Sequence, residues 1–170
     1  TAPEREERRF PPEHDEPYEE YFEIQNPITQ DRRVMRRSIT ATMLEIIEYN
    51  SSLSPRLALF EMGPVFHAVE GQQLPDEKKM LAIGLTGLRE RPSWEGEEPE
   101  PMDFYDLKGI VEEMFAGLHI ENVDYRPWKH PSLHPGKTAQ VRINGEVVGV
   151  MGELHPLVKA NYEMEDAPVY

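Results

Sequence analysis

The dipeptide Asn144-Gly145 restricts the fold more than any other feature, because it stands between two runs in which apolar and polar residues alternate. Asn-Gly readily adopts positive φ at both central turn positions, so the pattern predicts a two-residue β-hairpin. The turn fixes which residues face each other across the two strands. The expected cross-strand pairs are Ile143 with Glu146, Val141 with Val148, and Ala139 with Val150, the last two on the core side.

A His-Pro pair stands at each end of this hairpin. His155-Pro156 follows the second strand, and proline is well tolerated in the first turn of a helix because its missing N–H would have no partner there. The sequence therefore predicts a short helix from Leu157 to Tyr162. The segment as a whole has the order strand, turn, strand, helix.

The charge balance limits the partners of this chain. It carries 32 acidic against 18 basic side chains, a formal net charge of −14 over 170 residues, and such a surface repels a phosphate backbone. Cysteine is absent, which excludes disulfides and thiolate metal sites. No apolar run reaches the roughly 18 residues of a membrane span, and the N-terminus is unlike a signal peptide. We therefore expect one cytoplasmic domain without membrane contact.

The two ends of the chain differ from its middle. Thr1 to Glu20 contains eight acidic residues, three basic residues and four prolines, a composition that buries too little apolar surface to offset the entropy of ordering. We predict a linker or an arm that lies on another surface, and a domain over residues 21–170. Ala167 to Tyr170 resembles entry into another strand, so we expect a piece of a longer polypeptide, truncated before the last strand of its domain.

The first part of this domain is predicted to open with a strand and a basic segment. Tyr21 to Gln25 alternates in polarity, and Asn26-Pro27 is typical of the turn that ends such a strand. Four arginines follow within positions 32–37. They would contact an anion or RNA, or pair with nearby carboxylates, and the acidic balance favours pairing.

A helix is predicted from Thr40 to Leu53. Thr40 is placed to cap it, and spacings of three and four residues put Met43, Ile46, Ile47 and Asn50 on one face. An apolar stripe of this kind is more often part of a core than an interface. From the residues alone we therefore interpret it as core-facing.

Two strands and a loop are predicted next. Leu57 to His67 and Met80 to Leu88 should pair, with Gly71 in a turn between them, and the second strand lacks the polar alternation of a half-exposed strand. Its sequence therefore predicts burial on both faces. Arg89 to Met102 is rich in proline and glutamate. A metal there would need the carboxylates of Glu95, Glu97, Glu98 and Glu100, but a solvated loop is preferred because their spacing is flexible.

A second helix completes the pattern. Asp103 is placed to cap it, Gly117 is near its end, and its core-facing stripe comprises Leu107, Val111, Met114, Phe115 and Leu118. Val123 to Trp128 is predicted to return as a strand to the hairpin. The elements together predict an α/β (α+β) fold, with helices at 40–53 and 104–117 on a mainly antiparallel sheet.

The best candidates for chemistry lie near the hairpin and are His130, His134, Glu153 and His155. Such side chains can act as general bases or bind a metal. None of the histidine pairs has the i, i+4 spacing of an HExxH site, and each histidine stands beside a proline, so structural roles are preferred. The glycines of the hairpin do not lie between a strand and a helix N-terminus, so they predict no phosphate loop. No residue is assigned to catalysis or to a metal.

Four blocks of the sequence resemble, in order, the bacterial phenylalanyl-tRNA synthetase beta subunit family. The pattern LHPG...G...G..GELHP of that family matches SLHPGKTAQVRINGEVVGVMGELHPLV, and its NPLS...S.LRTSLLPGLL..L..N block, followed by LFEIGRVF, matches NPITQDRRVMRRSITATMLEIIEYN and LFEMGPVF. DFYDLKGIVEEMF is similar to a further block, DF.DLKG.VE.L. The chain departs from the family at Arg37, Ala41 and Thr42, near the start of the first helix. The matched positions with implied structural roles are Asn26, Pro27, Arg36, Ser38, Phe60, Glu61, Gly63, Lys108, Gly109, His134, Pro135, Gly136, Gly152, His155 and Pro156.

The resemblance implies a class II synthetase-like core without catalysis. VVGVMGELHP stands where the third class II motif is expected, but Glu153-Leu154 replaces its arginine. In the family the alpha subunit uses ATP and magnesium to charge tRNA(Phe) with phenylalanine, the beta chain packs against it in an (αβ)2 heterotetramer, and other domains hold the tRNA. The resemblance thus implies an assembly domain of a phenylalanine–tRNA ligase that binds no cofactor itself. The implied contact with the alpha subunit comprises Thr40, Met43, Ile46, Ile47, Asn50 and Leu53.

Two alternative hypotheses remain open at this stage. A stand-alone hydrolase or metal enzyme would use His134, Glu153 and His155, and would contain stoichiometric metal that His134→Ala removes. A small-molecule-binding synthetase paralog would bind ATP or phenylalanine in a vestigial pocket, which calorimetry tests; we expect no binding of either.

Overall fold

A computed structural model describes residues 1–12, 14, 21–92, 94, 99–164 and 167–170 of the chain. None of the helices in this described part is both long and apolar enough to cross a membrane. The elements in chain order are α1 (Pro3–Glu7), a 3₁₀ turn (Gln30–Arg32), α2 (Thr40–Ser51), β1 (Arg56–His67), β2 (Asp76–Gly87), α3 (Phe104–Gly117), β3 (Val123–Pro127), β4 (Leu133–Ile143), β5 (Glu146–Leu154) and α4 (Pro156–Asn161).

The strands form two antiparallel sheets that a short C-terminal segment joins. β1 pairs with β2 over their full lengths, and β4 lies between β3 and β5. Leu85 of β2 and Tyr170 exchange backbone hydrogen bonds of 2.8 and 2.9 Å, and Leu154 of β5 donates to the carbonyl of Val169 at 2.7 Å. The segment Val169–Tyr170 therefore lies between β2 and β5.

Helices cover both faces of this arrangement. The first core lies under α2 and α4 and comprises Met43, Leu44, Ile47, Leu57, Leu154, Val158, Tyr162, Met164 and Val169. The second lies under α3 and comprises Leu85, Met102, Leu107, Val111, Ala139, Val141 and Met151. Apolar burial of this kind is the main stabilising contribution to such a fold.

The hairpin of β4 and β5 has the predicted turn. Asn144 and Gly145 both have positive φ, 51° and 87°, as a type I′ turn requires. Ile143 pairs with Glu146, as predicted. The turn prediction from the Asn-Gly dipeptide is therefore confirmed.

The predicted register beyond the turn is wrong by one residue. Arg142 pairs with Val147 but Val141 pairs with Gly149, so one extra residue of β5 forms a bulge at Val148. Because side chains alternate along a strand, the bulge turns Val148 and Val150 to the exposed side and brings Met151 into the core. The observed partners are thus Gly149 for Val141 and Met151 for Ala139.

The start of α2 differs from the prediction. Thr40 is already the first helical residue and makes no cap; instead the hydroxyl of Ser38 accepts the backbone N–H of Thr40 at 3.0 Å. A short polar side chain two residues upstream thus satisfies one of the free N–H groups of the first turn. The helix ends at Ser51, two residues before the predicted Leu53.

The other two predicted helices are confirmed with small shifts. α3 has the predicted limits, and Asp103 caps it by accepting from the backbone N–H groups of Tyr105 and Asp106 at 2.7 and 3.2 Å. The Asp106 carboxylate accepts the N–H of Asp103 at 2.7 Å, which completes a capping box. Leu118, predicted on the buried stripe of α3, is exposed because it lies beyond the last turn. α4 begins at Pro156, one residue earlier than predicted.

Two strand predictions need correction. Tyr21 to Gln25 is not a strand, since its ladder consists of one isolated bridge between Glu23 and Val34. β2 is buried on both faces only near its end; Met80 and Leu81 are exposed, because the far half of the β1–β2 hairpin extends beyond the helices. The carboxylates of Glu95, Glu97 and Glu98 lie outside the described residues, and Glu100 pairs with Arg89 at 3.0 Å.

Candidate functional site

Helix α2 presents three sides to its surroundings. Each side lies about a third of a turn from the next, because successive residues are 100° apart around the helix axis. Its first side is buried: Met43, Leu44 and Ile47 pack into the first core, and Ile47 is only 1% exposed. Met43 and Ile47 of the predicted contact set therefore face the interior of their own domain. Their side chains hold α2 against the sheet.

The second side of α2 carries the N-terminal arm. Arg5 binds the Glu45 carboxylate through two nitrogens at 2.8 and 2.6 Å, and Arg8 binds Glu48 at 2.7 Å. The pairs match because arginines three residues apart meet glutamates three residues apart. This side of α2 is thus occupied within the chain.

Glu6 of the arm is buried between these contacts. The side chain has 0% exposure. One carboxylate oxygen accepts the backbone N–H of Arg37 at 3.3 Å, while the other has no hydrogen-bond partner among the described residues. Burial therefore raises the pKa of the Glu6 carboxyl, although Arg9 opposes this effect. The Glu6 carboxyl group of the arm thus contacts the segment that leads into α2.

The third side of α2 is exposed and apolar. Ile46 is 40% exposed, Tyr49 73% and Leu53, in the turn after the helix, 69%. Spacings of three and four residues place them in one line, which we call the α2 stripe. Ile46 and Leu53 belong to the predicted contact set, whereas Tyr49 does not. Tyr49 stands three residues after Ile46 and four before Leu53, and this helical spacing could have identified it from the sequence as a member of the contact set.

The remaining members of the contact set lie outside the stripe. Thr40 and Asn50 are half-buried, and the Asn50 amide donates to the backbone carbonyl of Ile46 at 2.8 Å. Asn50 therefore uses its amide nitrogen within the helix. This bond lies at the last turn and holds the end of α2 in place.

The family-matched residues before α2 and in β1 fasten these two elements together. Arg36 pairs with Glu61 and donates to the backbone carbonyl of Pro64 at 2.9 Å. A side chain at Gly63 would collide with the Arg36 guanidinium. Together with the Arg33–Glu4 pair at 2.6 Å, these contacts confirm for Arg33 and Arg36 the prediction that arginines of this segment pair with carboxylates.

The other matched residues near this end of the molecule are at the surface. Asn26 is exposed and Pro27 is half-buried in the loop before the 3₁₀ turn. Phe60 of β1 is 77% exposed, opposite Ile83, on the sheet face that also presents Met62 and Leu81. The far part of the β1–β2 hairpin is therefore a second exposed apolar surface.

Lys108 on α3 is paired, as predicted. It contacts the Glu112 carboxylate and lies 4.9 Å from the centre of the Tyr125 ring. Gly109, the next matched position, has open space where a Cβ would be. At the start of the same helix, the Arg89 guanidinium lies 2.9 Å from Asp106 and holds the pKa of that carboxyl below its usual range.

All three candidate histidines close turns with their own backbone. In each His-Pro-X segment, the Nδ1 atom of histidine accepts the N–H of the residue two positions on: Ser132 for His130 at 3.2 Å, Gly136 for His134 at 3.1 Å, and Leu157 for His155 at 3.2 Å. The proline brings the next N–H back towards the imidazole. One ring nitrogen of each histidine is thus used structurally, and His155 also caps α4.

Glu153 and Gly152 lie next to this region. The Glu153 carboxylate pairs with Lys137 and accepts from the Tyr170 hydroxyl at 3.4 Å. Burial and the nearby carboxylate raise the pKa of Tyr170 to about 12. Gly152 is required by close packing, since a Cβ there would lie 2.5 Å from the Lys137 carbonyl oxygen.

A cavity of about 510 Å³ opens beside these residues. Its walls include the aromatic rings of Phe104, Tyr105, Tyr125 and Tyr170. The charged groups on its lining are already paired, Asp103 with Arg89, Arg126 with Asp124 and Lys137 with Glu153. Among the described residues, no three His, Asp or Glu side chains are grouped closely enough to hold a metal ion.

Comparisons with known proteins agree with the resemblance in the sequence. The whole chain, residues 1–170, matches the family described as phenylalanyl tRNA synthetase beta chain CLM domain. Phenylalanine–tRNA ligase beta subunits of Symbiobacterium thermophilum and Syntrophotalea carbinolica are each 38% identical to it, over 88% and 92% of this chain. The matches cover 17% and 19% of those two subunits, so the chain spans about a sixth to a fifth of their length.

The fold is similar to that of a solved synthetase. The pyrrolysyl tRNA synthetase PylSc of Desulfitobacterium hafniense superposes with a TM-score of 0.58 over 88% of this chain and 47% of its own, at 14% identity. At that identity the similarity concerns the fold alone. The α+β arrangement described above is thus class II synthetase-like, as the sequence predicts.

Proposed function

Because the chain belongs to the family of the phenylalanyl tRNA synthetase beta chain CLM domain, we propose that it is a structural domain of a phenylalanine–tRNA ligase and joins the beta chain to the alpha subunit. The assembled (αβ)2 enzyme would use ATP and magnesium to charge tRNA(Phe), with the tRNA held by other domains. The domain itself would bind no cofactor and catalyse no step. A cytoplasmic location accords with this function.

The observation that supports this proposal best is the α2 stripe of Ile46, Tyr49 and Leu53. The other two sides of α2 are occupied, one by the core and one by the arm. Large apolar side chains that adjoin each other on the free side of a helix are typical of a protein contact. The stripe therefore offers an alpha subunit an apolar ridge to bind.

The rigidity of α2 also supports an assembly role. The buried side and the Arg5–Glu45 and Arg8–Glu48 pairs fix the helix before any partner binds. Association then orders few additional groups, and less conformational entropy is lost. A preformed ridge of this kind suits a permanent subunit contact.

The state of the candidate catalytic groups supports a role without chemistry. His130, His134 and His155 each use one ring nitrogen in a turn. Glu153 is paired with Lys137. A general base needs a free lone pair within reach of its substrate. The turn hydrogen bonds of the histidines and the ion pair of Glu153 therefore disfavour general-base catalysis by these four residues.

The test uses the complete beta chain and two matched variants. Ile46→Asp places a charge on the α2 stripe. Ile110→Asp does the same on α3, where the isoleucine is 41% exposed against 40% for Ile46. Analytical ultracentrifugation with the alpha subunit should show that Ile46→Asp weakens the complex about 10-fold or more, since hot-spot losses exceed about 1.4 kcal/mol. Ile110→Asp should bind like the wild type.

Equal affinities for the two variants would contradict the contact proposed for α2. Metal content after purification without added metal separates the rival hydrolase hypothesis from the assembly hypothesis. We expect no stoichiometric metal in the wild type and no change in His134→Ala. Stoichiometric zinc or manganese that His134→Ala removes would refute a purely structural role.

A further inference from the structure

Asn144 and Gly145 form the turn that joins β4 to β5, and both residues are exposed. The chain has five asparagines, and Asn144 is the one that a glycine follows. An asparagine can react with its own chain when the backbone nitrogen of the next residue attacks the side-chain Cγ atom and ammonia leaves. Both reacting groups are already held together, so the local surroundings decide which asparagine reacts.

The attacking nitrogen is accessible at this turn. Among the described residues, no backbone group accepts a hydrogen bond from the N–H of Gly145. Glycine has no Cβ atom to shield its nitrogen, and an added Cβ would meet only the Arg142 guanidinium, at 4.0 Å. Water or hydroxide can therefore take the proton of this N–H, and the nitrogen can approach Cγ of Asn144.

Two neighbouring side chains stabilise the charges that the attack creates. The Arg142 guanidinium donates from Nε to the Gly145 carbonyl at 2.9 Å, so a positive charge lies close to the nitrogen that becomes negative. The Asn122 amide donates to Oδ1 of Asn144 at 3.0 Å. Oδ1 gains negative charge when the nitrogen adds to Cγ, and donors placed where charge develops lower a reaction barrier.

The amide nitrogen that must leave is not held at Asn144. Within the described part of the chain, the side chain of this residue accepts a hydrogen bond at Oδ1, and its Nδ2 atom donates none. The same atom donates hydrogen bonds of 2.8–3.0 Å in three others, Asn50, Asn122 and Asn161. Asn26 precedes Pro27, whose nitrogen has no proton to lose. Asn144 thus differs from the other four asparagines in both reacting groups.

We propose that Asn144 is a site of spontaneous deamidation in the folded domain. The nitrogen of Gly145 forms a bond to Cγ of Asn144, the bond from Cγ to Nδ2 breaks, and ammonia leaves with the proton that the N–H of Gly145 has lost. A water molecule then opens the resulting succinimide ring at either of its two carbonyl carbons. The products at position 144 are aspartate and isoaspartate, and no oxidation or reduction takes place.

The two products affect the hairpin differently. Asp-Gly favours the same type I′ turn as Asn-Gly, and a carboxylate at this position can still accept from Asn122. It also adds a negative charge near Arg142. In isoaspartate the main chain passes through Cβ, so the turn gains a backbone atom. The pairing of Ile143 with Glu146, which a two-residue turn fixes, is then lost.

Peptide mapping of the folded complete beta chain, kept at neutral pH, tests this proposal. Cleavage by trypsin after Arg142 and Lys159 should release residues 143–159, and a sample digested without incubation gives the baseline. Asn144 should gain roughly 1 Da as its amide is replaced. It should do so about 10-fold or more faster than the other four asparagines. Both aspartate and isoaspartate should be found.

Gly145→Ala is the matched variant, because its Cβ has room in the turn. That Cβ shields the attacking nitrogen, so the loss of the Asn144 amide should be about 10-fold slower, which corresponds to about 1.4 kcal/mol on the barrier. Circular dichroism checks that the variant folds. The comparison among the wild-type asparagines does not depend on this variant.

Three results would overturn the proposal. Asn144 would not be a modification site if it kept its amide as long as the other four asparagines did. Loss of the amide in urea but not in the folded chain would show that the turn protects Asn144. Aspartate without any isoaspartate would show direct hydrolysis, without attack by Gly145.

Discussion

β2 packs closely against α2 at Gly84. A Cβ atom added there would lie 2.7 Å from Cδ1 of Ile47 and 3.2 Å from Cγ of Met43. Ile47 is fully buried, so its side chain has little room to move in a core packed at crystal-like density. Gly84→Ala should therefore lower the free energy of unfolding by about 1–3 kcal/mol through overpacking.

Removal of the atom in conflict should reverse this effect. Ile47→Val deletes Cδ1 alone, at a cost of about 0.5–1.5 kcal/mol. In that background the new Cβ of Gly84→Ala still lies 3.2 Å from Cγ of Met43, a tight contact that the flexible Met43 side chain relieves by a small shift. It also removes the backbone entropy cost of glycine in a strand, about 0.5–1 kcal/mol. The double variant should thus be at least as stable as Ile47→Val alone.

Urea unfolding followed by circular dichroism provides the four free energies of this cycle. The expected coupling is about 1–3 kcal/mol, the overpacking penalty that disappears. Gly109→Ala is the control, since a Cβ there meets nothing within 4 Å, and alanine should stabilise α3 by up to about 1 kcal/mol. Additive effects within about 0.5 kcal/mol would refute the close approach of Gly84 to Ile47.

Three further predictions concern the arm and the turns. Burial raises the pKa of Glu6, so as pH rises this carboxyl loses its proton more readily in the unfolded chain than in the folded one. The wild type should therefore lose stability relative to Glu6→Gln as pH rises above about 4.5 in thermal melts. A stability difference between the two proteins that is constant from pH 4 to 7 would contradict this. His155→Ala should cost about 1 kcal/mol through loss of the α4 cap, and His155→Asn, which keeps an acceptor, should restore most of it; equal losses would argue against capping. Arg5→Ala should cost at most about 1 kcal/mol and less at high salt, as a partly exposed ion pair does; a larger loss would mean that Arg5 does more than pair with Glu45.

Local signals predicted several elements because the energies that decide them are local. The Asn144-Gly145 turn and the Asp103 cap depend on residues within four positions of each other. The bulge at Val148 could not be predicted in the same way. It places Met151 in the core under α3, and that choice depends on packing between elements distant in the sequence.

The proposed contact surface was predictable in part. Spacing identified an apolar helix, but Ile46 and Ile47 are adjacent, and sequence alone could not tell which of them faces the core. The structure assigns Ile47 to the core and Ile46 to the α2 stripe. That division rests on the packing of Ile47 in the first core against residues distant in the sequence, such as Leu154 and Val158, which leave no periodic pattern.

The limits of the domain and the structure of residues 13 and 15–20 stay predictions. Residues 1–10 of the predicted arm lie on α2 and α4 through the contacts of Arg5, Glu6 and Arg8. Composition alone did not identify those contacts, because they come from one buried carboxylate and two partly exposed arginines and not from an apolar pattern. Such contacts depend on matched partners elsewhere in the fold.

The most direct test of the central claim is tRNA(Phe) aminoacylation by the complete beta chain at increasing alpha subunit concentration. If the α2 stripe serves assembly alone, Ile46→Asp should shift the half-maximal alpha concentration about 10-fold upwards and reach the wild-type plateau. Ile110→Asp should follow the wild-type curve. A lower plateau for Ile46→Asp with an unchanged half-maximal concentration would contradict the account, because the residue would then act in the reaction instead of in the subunit contact.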